Sequence, residues 1–115
     1  AAAAAKALMI GDFNSYGMED PIKAITDKGY VNQLERFVRA GGGMPYSFVF
    51  NGEAGYLDHA LTNAARSASV VDAAEWHNNA DEPTVVDYNT DGKPEDKYTA
   101  APYRASDHDP VVISL

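Results

Sequence analysis

The chain has 115 residues, of which 45% are hydrophobic and none is cysteine, so it can bury one modest core and can form neither disulfides nor thiolate metal sites. Its formal net charge of -8 argues against unaided binding to nucleic acid or an anionic membrane, because such partners are normally met by Lys and Arg. Bound divalent cations can reverse that sign locally. The sequence shows neither a signal peptide nor an apolar run of the roughly 18 residues that a membrane helix needs.

The first forty residues predict one strand and two helices. Residues 1–5 are five alanines that fit a helical turn, a tag remnant or placeholder residues, so nothing is inferred from them. A buried strand is predicted over residues 6–10, ending at the glycine that follows. A helix is predicted to begin at residues 19–21, where two acids and a proline suit a first turn, and to end at Gly29. Apolar spacing predicts a second helix over residues 30–40.

Two β-rich runs follow, over residues 46–50 and 56–62, and the intervening residues 51–55 contain Asn-Gly and a second glycine. This pattern predicts a hairpin between the two runs. Alternation along the second run places Asp58 on one face and His59 on the other, so the two side chains cannot pair with each other. Because His59 lies between two leucines, we expect a hydrogen-bonded core histidine.

The remaining chain is predicted to contain one turn of helix over residues 64–68, a strand over residues 69–76 and a long polar loop over residues 78–105. Asp87, Asn89 and Asp91 match the first oxygen positions of a calcium loop, so Ca²⁺ is a candidate ligand there. The bidentate glutamate of such a loop is missing at the twelfth position, which favours an ordinary turn-rich loop instead.

Three short motifs combine acids with an amide or an imidazole at predicted strand ends. They are Gly11-Asp12-Phe13-Asn14, Leu57-Asp58-His59-Ala60-Leu61 and Ser106-Asp107-His108-Asp109-Pro110. Acids that converge on one site repel each other unless a metal cation or an imidazolium lies among them, and a divalent ion resolves that conflict. Asp109 is expected only to secure the loop before Pro110, and His77 is expected at the surface.

Together these motifs resemble the C-terminal half of the endonuclease/exonuclease/phosphatase superfamily, which has the deoxyribonuclease-I-like fold. The run from Trp76 to Pro83 and the triplet Asp87-Tyr88-Asn89 resemble the large secreted bacterial nucleases of that superfamily. The resemblance implies an α/β (α+β) fold, namely the C-terminal half of a four-layer α/β/β/α sandwich with mostly antiparallel sheets. It also implies that residues 1–115 form part of a single domain.

The resemblance further implies metal-assisted hydrolysis of phosphodiester bonds with Mg²⁺ or Mn²⁺. Asp12 would orient or deprotonate the attacking water or bind the metal, and Asn14 would donate a hydrogen bond to the phosphoryl oxygen. Asp107 would be a metal ligand. His108, with its ring fixed by Asp58, would act on the scissile phosphate as acid, base or cationic stabiliser, and Arg104 would contact the substrate.

Members of this superfamily also carry an N-terminal half, with a metal-binding glutamate and, in nucleases, a second active-site histidine. Neither precedes Asp12, so we expect this chain to work with a missing N-terminal half. The expected substrate is DNA, with RNA as a further candidate, and the expected location is extracellular. Two alternatives stay open: a sphingomyelinase-like or inositol-polyphosphate-phosphatase-like hydrolase, and a non-catalytic binding fragment.

Overall fold

The computed structural model describes residues 4–88, 91–92 and 101–115. Helices and antiparallel strands are mixed along this part of the chain, so the predicted α+β class is confirmed. In the described part, no helix has both the length and the apolar character needed to cross a membrane. The strands are β1 (Leu8–Asp12), β2 (Val31–Asn32), β3 (Phe48–Phe50), β4 (Glu53–Gly55), β5 (Asp58–Thr62), β6 (Asp72–Glu75) and β7 (Val111–Ser114). The helices are α1 (Asp20–Thr26), α2 (Ala64–Ser67), a π-helical turn (Glu35–Arg39) and a 3-10 turn (Thr84–Val86).

The three-stranded sheet β1-β5-β2 carries two of the three motifs. β5 lies in its centre and pairs antiparallel with β1, and the last register pair is Asp12 with Asp58. β1 therefore continues past Gly11, where the prediction ended it. Gly11 has φ +140, a value that glycine adopts without strain, so the ladder continues to Asp12.

The predicted hairpin forms, but its second strand is not the one that was expected. β3 pairs with β4, and β5 belongs to the other sheet. Asn51 and Gly52 have φ +50 and +81, the left-handed values that make a two-residue turn compatible with strand twist. The returning strand therefore begins at Glu53, earlier than predicted.

The second predicted helix is shorter than residues 30–40. Its first residues form β2, in which Val31 and Asn32 pair with Thr62 and Leu61 of β5. The helical part then follows and ends with the π-helical turn. Backbone pairing with the buried strand β5 satisfies groups that a first helical turn would leave unpaired, which explains this difference.

The apolar core joins the helical segment to the connection between β4 and β5 and to the β6–β7 pair. Leu34, Tyr56 and Ala73 are buried together, and Phe37, Val38 and Val111 pack against them. β6 pairs antiparallel with β7 along four residues, from Asp72 with Ser114 to Glu75 with Val111. A bridge between Phe48 and His108 holds the histidine motif, just before β7, beside β3.

Candidate metal and catalytic site

Two carboxylates face each other at one end of the three-stranded sheet. Asp12 is the last residue of β1, Asp58 is the first residue of β5, and the two are direct register partners. Side chains of such partners lie on the same face of a sheet, with Cβ atoms about 5 Å apart. Like charges in this position destabilise a sheet, so the pair needs a compensating positive group.

The third motif reaches this sheet end through β3. His108 forms an isolated antiparallel bridge with Phe48, and the Asp109 backbone N–H donates to the Ser47 carbonyl at 2.8 Å. The imidazole lies against the Phe48 ring, with 4.8 Å between ring centroids. The Ser106 hydroxyl also accepts a hydrogen bond from the His108 backbone N–H at 3.0 Å. These contacts fix the backbone and the ring of His108.

A short chain of hydrogen bonds orients the His108 ring. His108 Nδ1 lies 2.7 Å from Asp58 Oδ2, and the two side chains are 22% and 14% exposed. The Ser47 hydroxyl donates to the same carboxylate oxygen at 2.7 Å. Because an ionised carboxylate can only accept, Nδ1 carries the proton and Nε2 is the ring nitrogen left for a substrate or water.

Asp12, Asp58 and His108 together form a cluster that could hold a metal ion, since one ligand atom from each lies within 4.8 Å of the others. The imidazole is the least suitable of the three ligands, because its Nδ1 already bonds to Asp58. Mg²⁺ and Mn²⁺ prefer oxygen ligands. The donor set therefore fits a hard divalent cation held by the two carboxylates, with His108 beside it.

Asn14 lies two residues beyond the Asp12 carboxylate in an exposed turn. Its backbone has φ +47, a left-handed conformation that Asn tolerates better than most residues. Its backbone N–H donates to Asp12 Oδ1 at 2.6 Å, which holds that carboxylate near the sheet end. The structure thus places Asn14 next to the acidic pair, where its predicted contact with a phosphoryl oxygen stays a prediction.

Asp107 is not part of the acidic cluster in the described structure; Asp58 is the second carboxylate there. Of the residues in the third motif, His108 is the one whose side chain bonds to Asp58. A role for Asp107 as a metal ligand stays a prediction.

Arg104 is buried, at 7% exposure, and its guanidinium donates to the Asn79 carbonyl at 3.0 Å. Its Nε lies 3.9 Å from Asp87 Oδ1. This position does not favour the predicted contact with substrate, because the guanidinium is used to hold the loop. Of the three calcium candidates, Asn89 lies outside the described residues, while Asp87 and Asp91 lie within them.

His59 is fully buried, and its Nε2 lies 2.8 Å from the Ser15 carbonyl, which confirms the predicted hydrogen-bonded core histidine. Burial lowers the pKa of His59, so the ring is neutral near pH 7. The ring packs edge-on against Phe13, with 5.5 Å between centroids. His59 therefore supports the strand that presents Asp58, on the opposite side from the cluster.

Asp109 is 1% exposed and secures the loop before Pro110, as predicted. Its Oδ1 accepts hydrogen bonds from the backbone N–H groups of Asn78, Asn79 and Ala80. Its Oδ2 lies 2.8 Å from His77 Nδ1. His77 is at the surface, as expected, but also stacks on Tyr46 with 3.9 Å between ring centroids. The carboxylate is therefore fully satisfied despite its burial.

Sequence reasoning missed Ser47, which anchors Asp58. Besides its bond to Asp58 Oδ2, the Ser47 hydroxyl accepts from the backbone N–H groups of Leu57 and Asp58 at 3.1 and 3.2 Å. The residue is fully buried. Its signal in the sequence is weak but present, since it is the one small polar residue between aromatic residues in the run 46–50.

Comparisons of this chain with protein-family models, with curated proteins and with solved structures gave no match.

Proposed function

We propose that this chain carries part of the active site of a metal-dependent phosphodiesterase that hydrolyses nucleic acid. The observation that supports this function best is the convergence of Asp12, Asp58 and His108 from three distant segments, with ligand atoms within 4.8 Å of one another. Two like charges opposite each other destabilise a sheet, and acidic pairs beside an oriented imidazole are typical of catalytic sites.

Asp12 and Asp58 are the residues that would hold Mg²⁺ or Mn²⁺, because they supply carboxylate oxygens on one face of the sheet. The bound ion would polarise the phosphoryl oxygen and neutralise charge that develops during the reaction. Asp107 is a further proposed ligand, carried over from the resemblance. Ca²⁺ at Asp87, Asn89 and Asp91 is a separate proposal that depends on the match of these residues to the first oxygen positions of a calcium loop.

His108 is proposed to act on the scissile phosphate through Nε2. Asp58 holds the proton of Nδ1, so Nε2 can accept a proton from the attacking water as its oxygen bonds to phosphorus. The bond from phosphorus to the leaving oxygen then breaks, and that oxygen takes a proton from solvent. The Nε2 proton returns to solvent, which restores the neutral ring. Asn14 is proposed to donate its side-chain amide to a phosphoryl oxygen, and Asp12 to orient the water.

The proposed substrate is DNA, with RNA as a further candidate, and the proposed location is extracellular, both from the motif resemblance. The net charge of -8 fits this function only when cations are bound, because the acidic site would otherwise repel a phosphate backbone. We also propose that the fold is half of a four-layer sandwich and that catalysis needs the N-terminal half of the domain.

The test is nicking of supercoiled plasmid by the natural polypeptide that contains this chain, in Mg²⁺ and in excess EDTA. The expected result is nicking that EDTA abolishes and that His108→Gln reduces by about a thousandfold, because a general acid or base contributes about a hundred- to ten-thousandfold. If the polypeptide does not nick plasmid but releases phosphocholine from sphingomyelin, or phosphate from an inositol polyphosphate, the site belongs to one of the alternative hydrolases. If the polypeptide hydrolyses none of these three substrates, the non-catalytic binding fragment is the alternative that fits.

A further inference from the structure

A buried carboxylate organises the turn that follows β6. Asp109 Oδ1 accepts three backbone N–H groups from residues 78–80, at 3.2, 2.8 and 2.9 Å. Three donors converging on one buried carboxylate oxygen define the path of the backbone closely. Since Asp109 follows His108 directly, the turn is held against the histidine motif itself.

Asn79 is the residue of this turn that reaches the backbone of His108. Its side-chain amide donates to the His108 carbonyl at 2.7 Å, and its Oδ1 accepts from the Ala105 backbone N–H at 3.1 Å. Asn79 is 5% exposed, so water is a poor replacement for either contact. One side chain thus links both ends of the segment that presents His108.

If the function proposed above is correct, we infer that Asn79 is a positioning residue for His108. Asp109 fixes the backbone of Asn79, and Asn79 fixes the carbonyl of His108, so the imidazole is held at its angle to Asp58 from the backbone side. A catalytic group displaced by about 1 Å can lose a hundredfold in rate, which gives such a distant anchor a measurable effect.

Asn78 supplies a matched control for Asn79. It is the preceding residue, is of the same type and is similarly buried, at 8% exposure. Its side-chain amide donates to the Pro102 carbonyl at 3.0 Å, within the long loop, whereas only its backbone N–H bonds to the histidine motif, through Asp109. A general weakening of the loop should therefore follow from either substitution, whereas a change at the imidazole should follow only from substitution of Asn79.

The experiment compares Asn79→Asp, Asn79→Ala and Asn78→Ala in the natural polypeptide. Asn79→Asp keeps the acceptor for Ala105 and removes the donor to His108, while Asn79→Ala removes both without adding a charge. Two readouts are taken: kcat and KM for plasmid nicking, and the imidazole ¹H–¹⁵N resonances of His108, assigned by their loss in His108→Gln. The second readout does not need catalysis.

Both Asn79 variants are expected to lower kcat by ten- to a hundredfold with little change in KM, and to shift the His108 resonances. Asn78→Ala is expected to lower the melting temperature without either effect. The inference is overturned if the His108 resonances are unmoved in the Asn79 variants, or if Asn78→Ala moves them equally. If the polypeptide hydrolyses no phosphodiester, the proposed function fails and the resonances alone still decide the role of Asn79.

Discussion

Asp12 and Asp58 repel each other at the end of the three-stranded sheet. Asp12→Asn should therefore stabilise the protein when no metal is bound, and it should lose this advantage when Mg²⁺ is bound. The Asp12 and Asp58 ligand atoms lie within 4.8 Å of each other, and at an effective dielectric constant of about 20 two such charges repel by about 3 kcal/mol. Asp12 is exposed, so solvent screening reduces this repulsion to about 1 kcal/mol. Asn keeps the oxygen that accepts from the Asn14 N–H, so the local turn is preserved.

Magnesium should reverse the order of stability. An ion at about ten times its dissociation constant stabilises the native state by about 1.4 kcal/mol, and Asp12→Asn should lose most of that gain. In a domain of this size, 1 kcal/mol corresponds to a shift of about 4–8 °C in melting temperature. The wild type should therefore melt below Asp12→Asn in EDTA and at or above it in millimolar Mg²⁺.

The assay is thermal unfolding at low ionic strength, with and without Mg²⁺. Asp72→Asn is the control, because Asp72 is an exposed strand carboxylate whose register partner is Ser114 and not another acid. Asp72→Asn should show neither the higher melting temperature in EDTA nor the smaller Mg²⁺-induced rise in melting temperature that are expected of Asp12→Asn. Equal Mg²⁺ shifts in all three proteins, or destabilisation of Asp12→Asn in EDTA, would refute the electrostatic reasoning.

Two further predictions concern residues around Asp58. Ser47→Ala leaves two backbone N–H groups without their acceptor and should lower the free energy of unfolding by about 1–3 kcal/mol in urea titration; a loss below about 0.5 kcal/mol would contradict the anchoring role. Burial raises the pKa of Glu75 from 4.5 to about 7, so the folded state binds more protons than the unfolded state between these values and stability falls as pH rises through them. Glu75→Gln should remove this fall. The difference in unfolding free energy between the variant and the wild type should therefore shift in favour of the variant by about 1–3 kcal/mol from pH 4.5 to pH 8. An equal pH dependence in both proteins would contradict this prediction.

The sequence predicted which segments meet at the site, because each motif lies at or beside one end of a predicted strand. Asp12 and Asp58 were expected at strand ends, and His108 was expected beside Asp58; the structure places all three in one cluster. The faces of β5 were also predictable, since alternation assigns Asp58 and His59 to opposite sides without knowledge of the neighbouring strand.

Strand partners could not be predicted in the same way. Alternation defines a face but not which strand lies alongside, so β5 was assigned to the hairpin although it pairs with β1 and β2. Contacts such as those of Ser47 with Asp58 and of Asn79 with His108 depend on bridges between distant segments. Residue type and local spacing distinguish Ser47 only weakly, and Asn79 not at all, from ordinary strand or loop positions.

The most direct test of the central claim, that Asp58 and His108 act as one catalytic unit, is a double-mutant cycle on plasmid nicking in Mg²⁺. Asp58→Asn and His108→Gln should each lower kcat by about a thousandfold, and the double variant should be no slower than the slower single variant within about threefold. Losses that multiply in the double variant, or a single variant that keeps more than about a tenth of the wild-type rate, would contradict the account.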